Sequence, residues 1–377
     1  MDFGNLRVAI VHYWLLSMRG GEKVVEQLCE IFPQADLYTL VARPERLSGT
    51  IRAHKITTSF IQRLPGGVRL YQNLLPLMPF AVEAFDLTGY DLIISSDTNV
   101  AKGVVTPPEA LHLNYCHTPM RYAWDMYHDY MRGSGLGRLK KIAMAGVMNW
   151  LRVWDVAASN RVDEFAANSE NVRRRIAKHY RREAEVIHPP VRVEDFRPGS
   201  GPGEFYLVLG QIIPYKRIDI AVEAFNRNGR ELVVIGEGSE LPRLRTKAGK
   251  NIRFLGHQPF DSIREHYSKC KALIFPGVED FGITPVEAQA SGRPVIAFAK
   301  GGARETVVDG EAGLFFREQT PESLNEAIER LEAGRHAITA EKCLANASRF
   351  TGALFRERFA AFAASAWERH RIRQGLG

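Results

Sequence analysis

Short apolar runs rich in valine, isoleucine and leucine recur along the chain, at 7–11, 92–96, 111–115 and 165–167, then at 205–210, 232–235, 252–255, 272–275, 295–298 and 314–316. Each run is continuous rather than alternating, as a strand covered on both faces requires, and longer stretches with helical spacing separate them. The pattern predicts an α/β chain of two doubly wound domains. The run Val186-Ile-His-Pro-Pro-Val191 divides them, because adjacent prolines stop regular structure and hold an extended segment. The expected units are 1–189 and 190–350. The last helical pattern, at 354–371, places Phe355, Phe359, Phe362 and Trp367 on one face, so 351–377 is expected to pack back on the first domain.

Composition narrows the class without identifying it. A length of 377 residues suits two or three domains, and 45% hydrophobic with 25% charged residues argues against disorder, collagen and coiled coil. Cys29, Cys116, Cys270 and Cys343 form no CxxC pair, so neither a zinc knuckle nor a disulfide framework is indicated and a reducing cytoplasm fits best. The aliphatic run at 8–11 is too short for a signal-peptide core, and no stretch reaches the roughly 18 apolar residues of a membrane span. A membrane partner would therefore be met at its surface. The net charge is +7, with 17 basic against 16 acidic residues as far as Asn168 and 33 against 27 after it. That excess allows an anionic partner, but no nucleic-acid-binding motif accompanies it.

In open α/β sheets ligands bind at the carboxyl ends of strands, where helix N-termini present unpaired N–H groups and a positive dipole end. Three stretches occupy such positions. Met18-Arg-Gly-Gly-Glu22 follows the first strand, where Gly20 and Gly21 either let the backbone approach a ligand or form a tight turn. It is neither GxGxxG nor GxxxxGK[ST], which argues against a dinucleotide dehydrogenase or a P-loop NTPase. Gly210-Gln-Ile-Ile-Pro-Tyr-Lys216-Arg217 follows the first strand of the second domain and sets two cations before a helix, suited to an anion or simply solvated. Glu279-Asp-Phe-Gly-Ile-Thr-Pro-Val-Glu287 is the most specific. Pro285 suits a first helical turn, so Gly282, Ile283 and Thr284 offer backbone N–H groups to a diphosphate between two carboxylates able to reach sugar hydroxyls.

The segment EDFGITPVE resembles the Glu-x7-Glu signature of the retaining family-four glycosyltransferases, whose GT-B fold has two Rossmann-like domains facing across a cleft. The GGE loop, His117-Thr-Pro119, Ala167-Asn-Ser169, His188-Pro-Pro-Val191 and Pro214-Tyr-Lys-Arg217 extend the resemblance over most of the chain, and HTPMRYAWDMYHDY is most similar to O-antigen and exopolysaccharide mannosyltransferases. The resemblance implies that Lys216 contacts the donor diphosphate, that Glu279 and the amides of Phe281, Gly282, Ile283 and Thr284 surround the transferred sugar, and that Glu287 binds the ribose. It implies further that His117 faces the donor sugar, that Gly20 and Gly21 lie near the diphosphate and acceptor, and that Gly236, Gly238 and His257 line the base and ribose pocket. Gln211 stands where the family usually has an arginine, which removes one cation; Arg217 or backbone amides are left to compensate. There is no Asp-x-Asp motif, so no metal and no cofactor are expected, and the sugar nucleotide is a substrate.

The acceptor side is less specific. The segments 60–65, 70–80 and 138–154 combine apolar, aromatic and basic residues, as interfacial segments do and as ordinary core helices also can. The run 173–182 carries six cations and no acid, which suits anionic lipid or a solvated helix face. Asp125, His128 and Asp129 form either an acceptor subsite or a helix surface. The expected function is a retaining hexosyltransferase, taking mannose from GDP-mannose to a lipid-linked saccharide in polysaccharide or O-antigen synthesis at the cytoplasmic membrane surface. A UDP-sugar-dependent glucosyl- or N-acetylglucosaminyltransferase is the alternative enzyme, and a catalytically silent nucleotide-sugar-binding scaffold the alternative of another class.

Overall fold

The computed structural model describes residues 3–133, 137–201, 203–334 and 337–375, so the outermost ends of the expected segments lie outside the described residues. The chain forms two compact units, one of Met1–Pro190 with Phe355–Gly377 and one of Val191–Leu354. The first holds a seven-stranded sheet: β1 (Val8–His12), β2 (Asp36–Thr39), β3 (Ile56–Thr58), β4 (Leu92–Asp97), β5 (Leu111–Cys116), β6 (Glu164–Ala167) and β7 (Ala184–Val186). Its spatial order is β3-β2-β1-β4-β5-β6-β7, and every pairing is parallel. The second unit holds six parallel strands, β8 (Phe205–Leu209), β9 (Leu232–Ile235), β10 (Ile252–Gly256), β11 (Cys270–Phe275), β12 (Val295–Phe298) and β13 (Gly313–Phe316), in the order β10-β9-β8-β11-β12-β13.

Burial on both faces explains the continuous apolar runs. In β1, Val8 and Ile10 join a core with Leu28, Phe32 and Leu113, while Ala9 and Val11 join another with Met78, Leu151 and Trp154. In β8, Leu207 packs with Phe275 and Val286, and Tyr206 and Val208 with Ile220 and Phe225. The helix Gly352–Arg373 buries Phe355, Phe359 and Phe362 in the first unit's core, where Phe359 meets Phe32 at 6.5 Å between ring centres.

Two polar features of the first unit depart from the sequence picture. Lys102 is buried between Asp97 at 3.0 Å and Asp155 at 2.5 Å. Burial alone would lower its pKa; Asp155 and then Asp97 outweigh that and keep the ammonium charged. In the basic run at 173–182, Arg173 pairs with Glu170, Arg175 with Asp125, and Arg182 donates to the carbonyls of Ser159 and Asp163, so these three cations are held by protein groups. All four cysteines are buried and free. Among the described residues no helix is long and apolar enough to cross a membrane.

Candidate functional site

In the second unit the strand order reverses between β8 and β11, and outside the carboxyl ends of two such neighbours an open α/β sheet leaves a crevice for a ligand. Lys216 ends the short turn Pro214–Lys216 after β8, and Glu279 lies in the loop after β11. Their side chains meet there, Lys216 Nζ to Glu279 Oε1 at 2.8 Å, with 18% and 23% of each left exposed. Glycines set this loop. A Cβ at Gly277, Gly301 or Gly302 would come under 3.0 Å from backbone atoms of Lys216, Glu279 and Asp280 respectively. The Gly302 N–H also donates to the Glu279 carbonyl at 2.9 Å. The Lys300-Gly-Gly302 turn after β12 therefore fixes Glu279. The glycine pair at a strand end was the signal that would have found it in the sequence.

Gly282 turns the chain with φ 92° into the helix Ile283–Ala290. Pro285 is its third residue, so the amides of Ile283 and Thr284 precede any intrahelical acceptor and stand at the helix mouth. Phe281 is buried against Phe350, at 5.4 Å between centres. Glu287 lies a turn deeper and is buried, with Oε2 accepting from Tyr267 Oη at 2.9 Å. Burial and then the Glu287 charge push the Tyr267 phenol well above its ordinary range, so it remains a donor.

Gly236 and Gly238 follow β9 with φ of 140° and 159°. A Cβ at either would strike the carbonyl of Gly210 or Ile212, so the 210–212 turn and the 236–238 turn touch backbone to backbone. His257 and Gln211 are exposed at the ends of β10 and β8. Arg217 has φ 52° at the helix cap, and its guanidinium pairs with Asp219, two residues on, with Nε to Oδ1 at 3.1 Å.

In the first unit the order reverses between β1 and β4. His12 ends β1 opposite Ser96 of β4. Ser96 Oγ lies 3.1 Å from His12 Nδ1 and 2.8 Å from His117 Nε2, bridging two histidines of which the sequence marked only the second. Burial, and then His117, hold the His12 pKa well below its usual value, so it is neutral. The His117 N–H donates to the Asp97 carbonyl at 2.8 Å. Arg175 donates to Thr118 Oγ1 and to the Pro119 carbonyl, bracing the HTP turn from the helix Glu170–Tyr180. Gly20 and Gly21 form the first turn of the helix Gly20–Ile31 rather than a loop before it, and Gly21 packs against the Tyr13 hydroxyl where no Cβ would fit. Asp125 is engaged by Arg175 and by His179 at 3.0 Å; Asp129 lies outside the described side chains.

Each sheet thus gathers polar side chains at its reversal of strand order. The profile of the family described as Glycosyl transferases group 1 matches residues 194–350. A D-inositol 3-phosphate glycosyltransferase of Geodermatophilus obscurus is 31% identical over 245 residues, 55% of this chain and 53% of that protein. The chain spans about half the length of the curated relatives it matches. Two solved structures share its fold at low identity. A lipopolysaccharide outer core galactosyltransferase, WaaB in apo form, aligns with TM-score 0.66 and 15% identity over 96% of this chain and 99% of that one. Anabaena HepE in complex with UDP-glucose aligns with TM-score 0.64 and 16% identity over 95% and 99%. The fold is therefore the two-domain GT-B fold, and residues 194–350, which carry Lys216, Glu279 and Glu287, match the group 1 glycosyl transferase profile.

Proposed function

We propose that the chain is a retaining hexosyltransferase that moves mannose from GDP-mannose onto a lipid-linked saccharide in polysaccharide or O-antigen synthesis. The observation that carries the transferase reading is the Lys216–Glu279 pair at the β8/β11 reversal, just before the helix mouth at Ile283 and Thr284. Glycosyl transfer breaks the bond between the anomeric carbon and a diphosphate oxygen, and the electron pair leaves with the phosphate. A cation and fixed N–H donors stabilise that growing charge. In this reading Lys216 turns from Glu279 to the diphosphate as it departs, with the Ile283 and Thr284 amides beside it. The acceptor hydroxyl bonds to the anomeric carbon on the same face, and its proton passes to the departing phosphate oxygen. Glu279 contacts the sugar and Glu287 the ribose. The donor-sugar role of His117 rests on the resemblance of its HTP tripeptide.

The lipid-linked acceptor and attachment to the cytoplasmic face of a membrane draw support from one side of the first unit. The helix Arg138–Ser159 exposes Leu139, Ile142, Trp150 and Val153 beside Arg138, Lys140 and Lys141, and Trp150 stacks on exposed Phe80 at 5.7 Å. Apolar, aromatic and basic residues together suit a bilayer interface. A UDP-sugar donor is the second reading, favoured by the HepE neighbour that was solved with UDP-glucose.

Donor hydrolysis across GDP-mannose, UDP-glucose, UDP-galactose and UDP-N-acetylglucosamine tests both. The first reading expects GDP release to dominate, and release of UDP alone establishes the second. Tight binding of a sugar nucleotide with no turnover, with or without acceptor lipid, establishes the scaffold.

A further inference from the structure

The first unit contains two neighbouring cavities beside the Gly20-Gly21 turn. One, of about 320 Å³, is lined by Arg19, Arg43, Arg46 and Arg69, with Trp14 and Tyr71 forming part of its wall. None of these four guanidinium groups forms an ion pair or side-chain hydrogen bond among the described residues, whereas Arg161, Arg175 and Arg356 of the same unit each hold a carboxylate. The buried Glu22 also lines this cavity. Its Oε2 accepts from the Arg19 N–H at 3.2 Å, and its Oε1 has no partner, so a buried polar atom is left for a ligand to satisfy.

The second cavity, of about 410 Å³, is lined chiefly by Met78, Met144, Met148, Leu75, Tyr122 and Tyr127. Trp14 belongs to both walls, and its ring lies 4.8 Å from that of Tyr71. A cationic compartment therefore adjoins an apolar one, each within the range of small-molecule sites. Flexible thioethers and aromatic rings accommodate a hydrocarbon chain of variable shape, and a cluster of arginines matches a phosphate.

We propose that the two cavities form one site for a lipid phosphate, with the arginines holding the phosphate and the methionine-lined cavity the start of the hydrocarbon chain. The inference rests on the reading that the acceptor is lipid-linked, and it names the part of that acceptor the first unit grips. Burial holds the Glu22 carboxyl up at about 7, so near neutral pH much of it is protonated and donates to a phosphate oxygen rather than repelling it.

Calorimetric titration of the full chain with farnesyl phosphate, farnesol and inorganic phosphate tests the site directly, without any sugar transfer. Farnesyl phosphate is expected to bind at least about tenfold tighter than either half alone. Replacing both Arg43→Gln and Arg69→Gln should weaken farnesyl phosphate by about tenfold or more while leaving the melting temperature and farnesol binding unchanged. Met144→Gln should weaken farnesyl phosphate and farnesol but not inorganic phosphate. Equal binding of farnesyl phosphate and farnesol, equal binding of farnesyl phosphate and inorganic phosphate, or wild-type affinity in the double arginine variant each overturns the proposal. Sugar transfer to a soluble acceptor without farnesyl phosphate binding removes this site and leaves the transferase reading standing. Farnesyl phosphate binding with no donor turnover does the reverse.

Discussion

Replacing Lys216 with alanine separates a catalytic cation from a structural one. The pair it forms with Glu279 is short, at 2.8 Å, but about one-fifth of each side chain is exposed, and solvent screening limits such a pair to roughly 1 kcal/mol or less of folding stability. In a domain of this size that corresponds to a fall in Tm of no more than about 2–4 °C. The loss in transition-state stabilisation is larger, because a preorganised donor facing developing charge is worth about 2.7–4 kcal/mol, or roughly 10²–10³ in kcat. Donor hydrolysis measured alongside a thermal melt reads both quantities on one preparation. Lys216→Ala also leaves the Glu279 carboxylate without its counter-charge, so part of any rise in KM is repulsion of the diphosphate. Adding Glu279→Gln should recover that part of KM without restoring kcat. A kcat within a few-fold of wild type, or a loss that the drop in Tm fully explains, would refute the assignment.

Three further outcomes are expected from the same structure. Glu22 has a folded-state carboxyl pKa raised to about 7 by burial against an ordinary 4.5, so the folded state binds the proton more tightly than the unfolded one and stability falls as pH rises between those values. Denaturant titration should find Glu22→Gln more stable than wild type by up to about 3 kcal/mol at pH 8, with the advantage shrinking towards pH 5; a gain independent of pH would show that burial is not the cause. Gly236→Ala combines an unfavourable φ of 140° with a Cβ driven into the Gly210 carbonyl, and should cost several kcal/mol, about 1–3 of them from backbone strain alone, with donor affinity falling as the 210–212 turn shifts. Lys102→Met leaves Asp97 and Asp155 buried without their cation and should cost about 3–5 kcal/mol in chemical unfolding, a loss that Asp155→Asn in the same chain should partly relieve.

Most of the two sheets was legible in the sequence because their central strands are buried on both faces, which leaves little choice but a run of valine, isoleucine and leucine. The strands that left no such mark are β2, β3 and β7. Asp36-Leu-Tyr-Thr39 mixes polar and apolar residues, and the two edge strands are three residues long and half-exposed, so nothing in their burial demands a continuous apolar run. The positions of Lys216 and Glu279 could be read because each follows an apolar run that reads as a strand. That they face one another could not, since it depends on Gly277, Gly301 and Gly302 drawing three separate loops together. Lys216 and Arg217 are adjacent cations of which the resemblance gave the diphosphate to Lys216, and the structure adds that Arg217 turns at a φ of 52° to pair with Asp219. Ser96 carried no signal, since a serine inside a strand is ordinary until the fold buries it, and Glu22 was marked only as the last residue of the GGE loop, with nothing to show that its carboxyl would be buried.

Net charge misled in a related way. The stretch up to Asn168 is nearly neutral by count, and the cations that stood out lay in the run at 173–182. In the folded first unit, however, the carboxylates are not distributed evenly among the cations. Asp97 and Asp155 are taken by Lys102, Asp125 by Arg175, Glu83 by Arg161 and Glu30 by Arg356 from the last helix. Those carboxylates are committed to other cations, while Arg19, Arg43, Arg46 and Arg69 form no ion pair among the described residues and share their cavity with one acid, the buried Glu22. A near-zero sum therefore coexists with a concentrated positive cavity, because screening confines what a charge feels to about a Debye length, roughly 8 Å at physiological ionic strength. By the same reasoning the 173–182 run, which the sequence offered as the anion-attracting surface, is the weaker candidate. Arg175 and Arg182 are directed into protein contacts, while the arginines around Trp14 are presented together to a cavity large enough to hold their counter-ion.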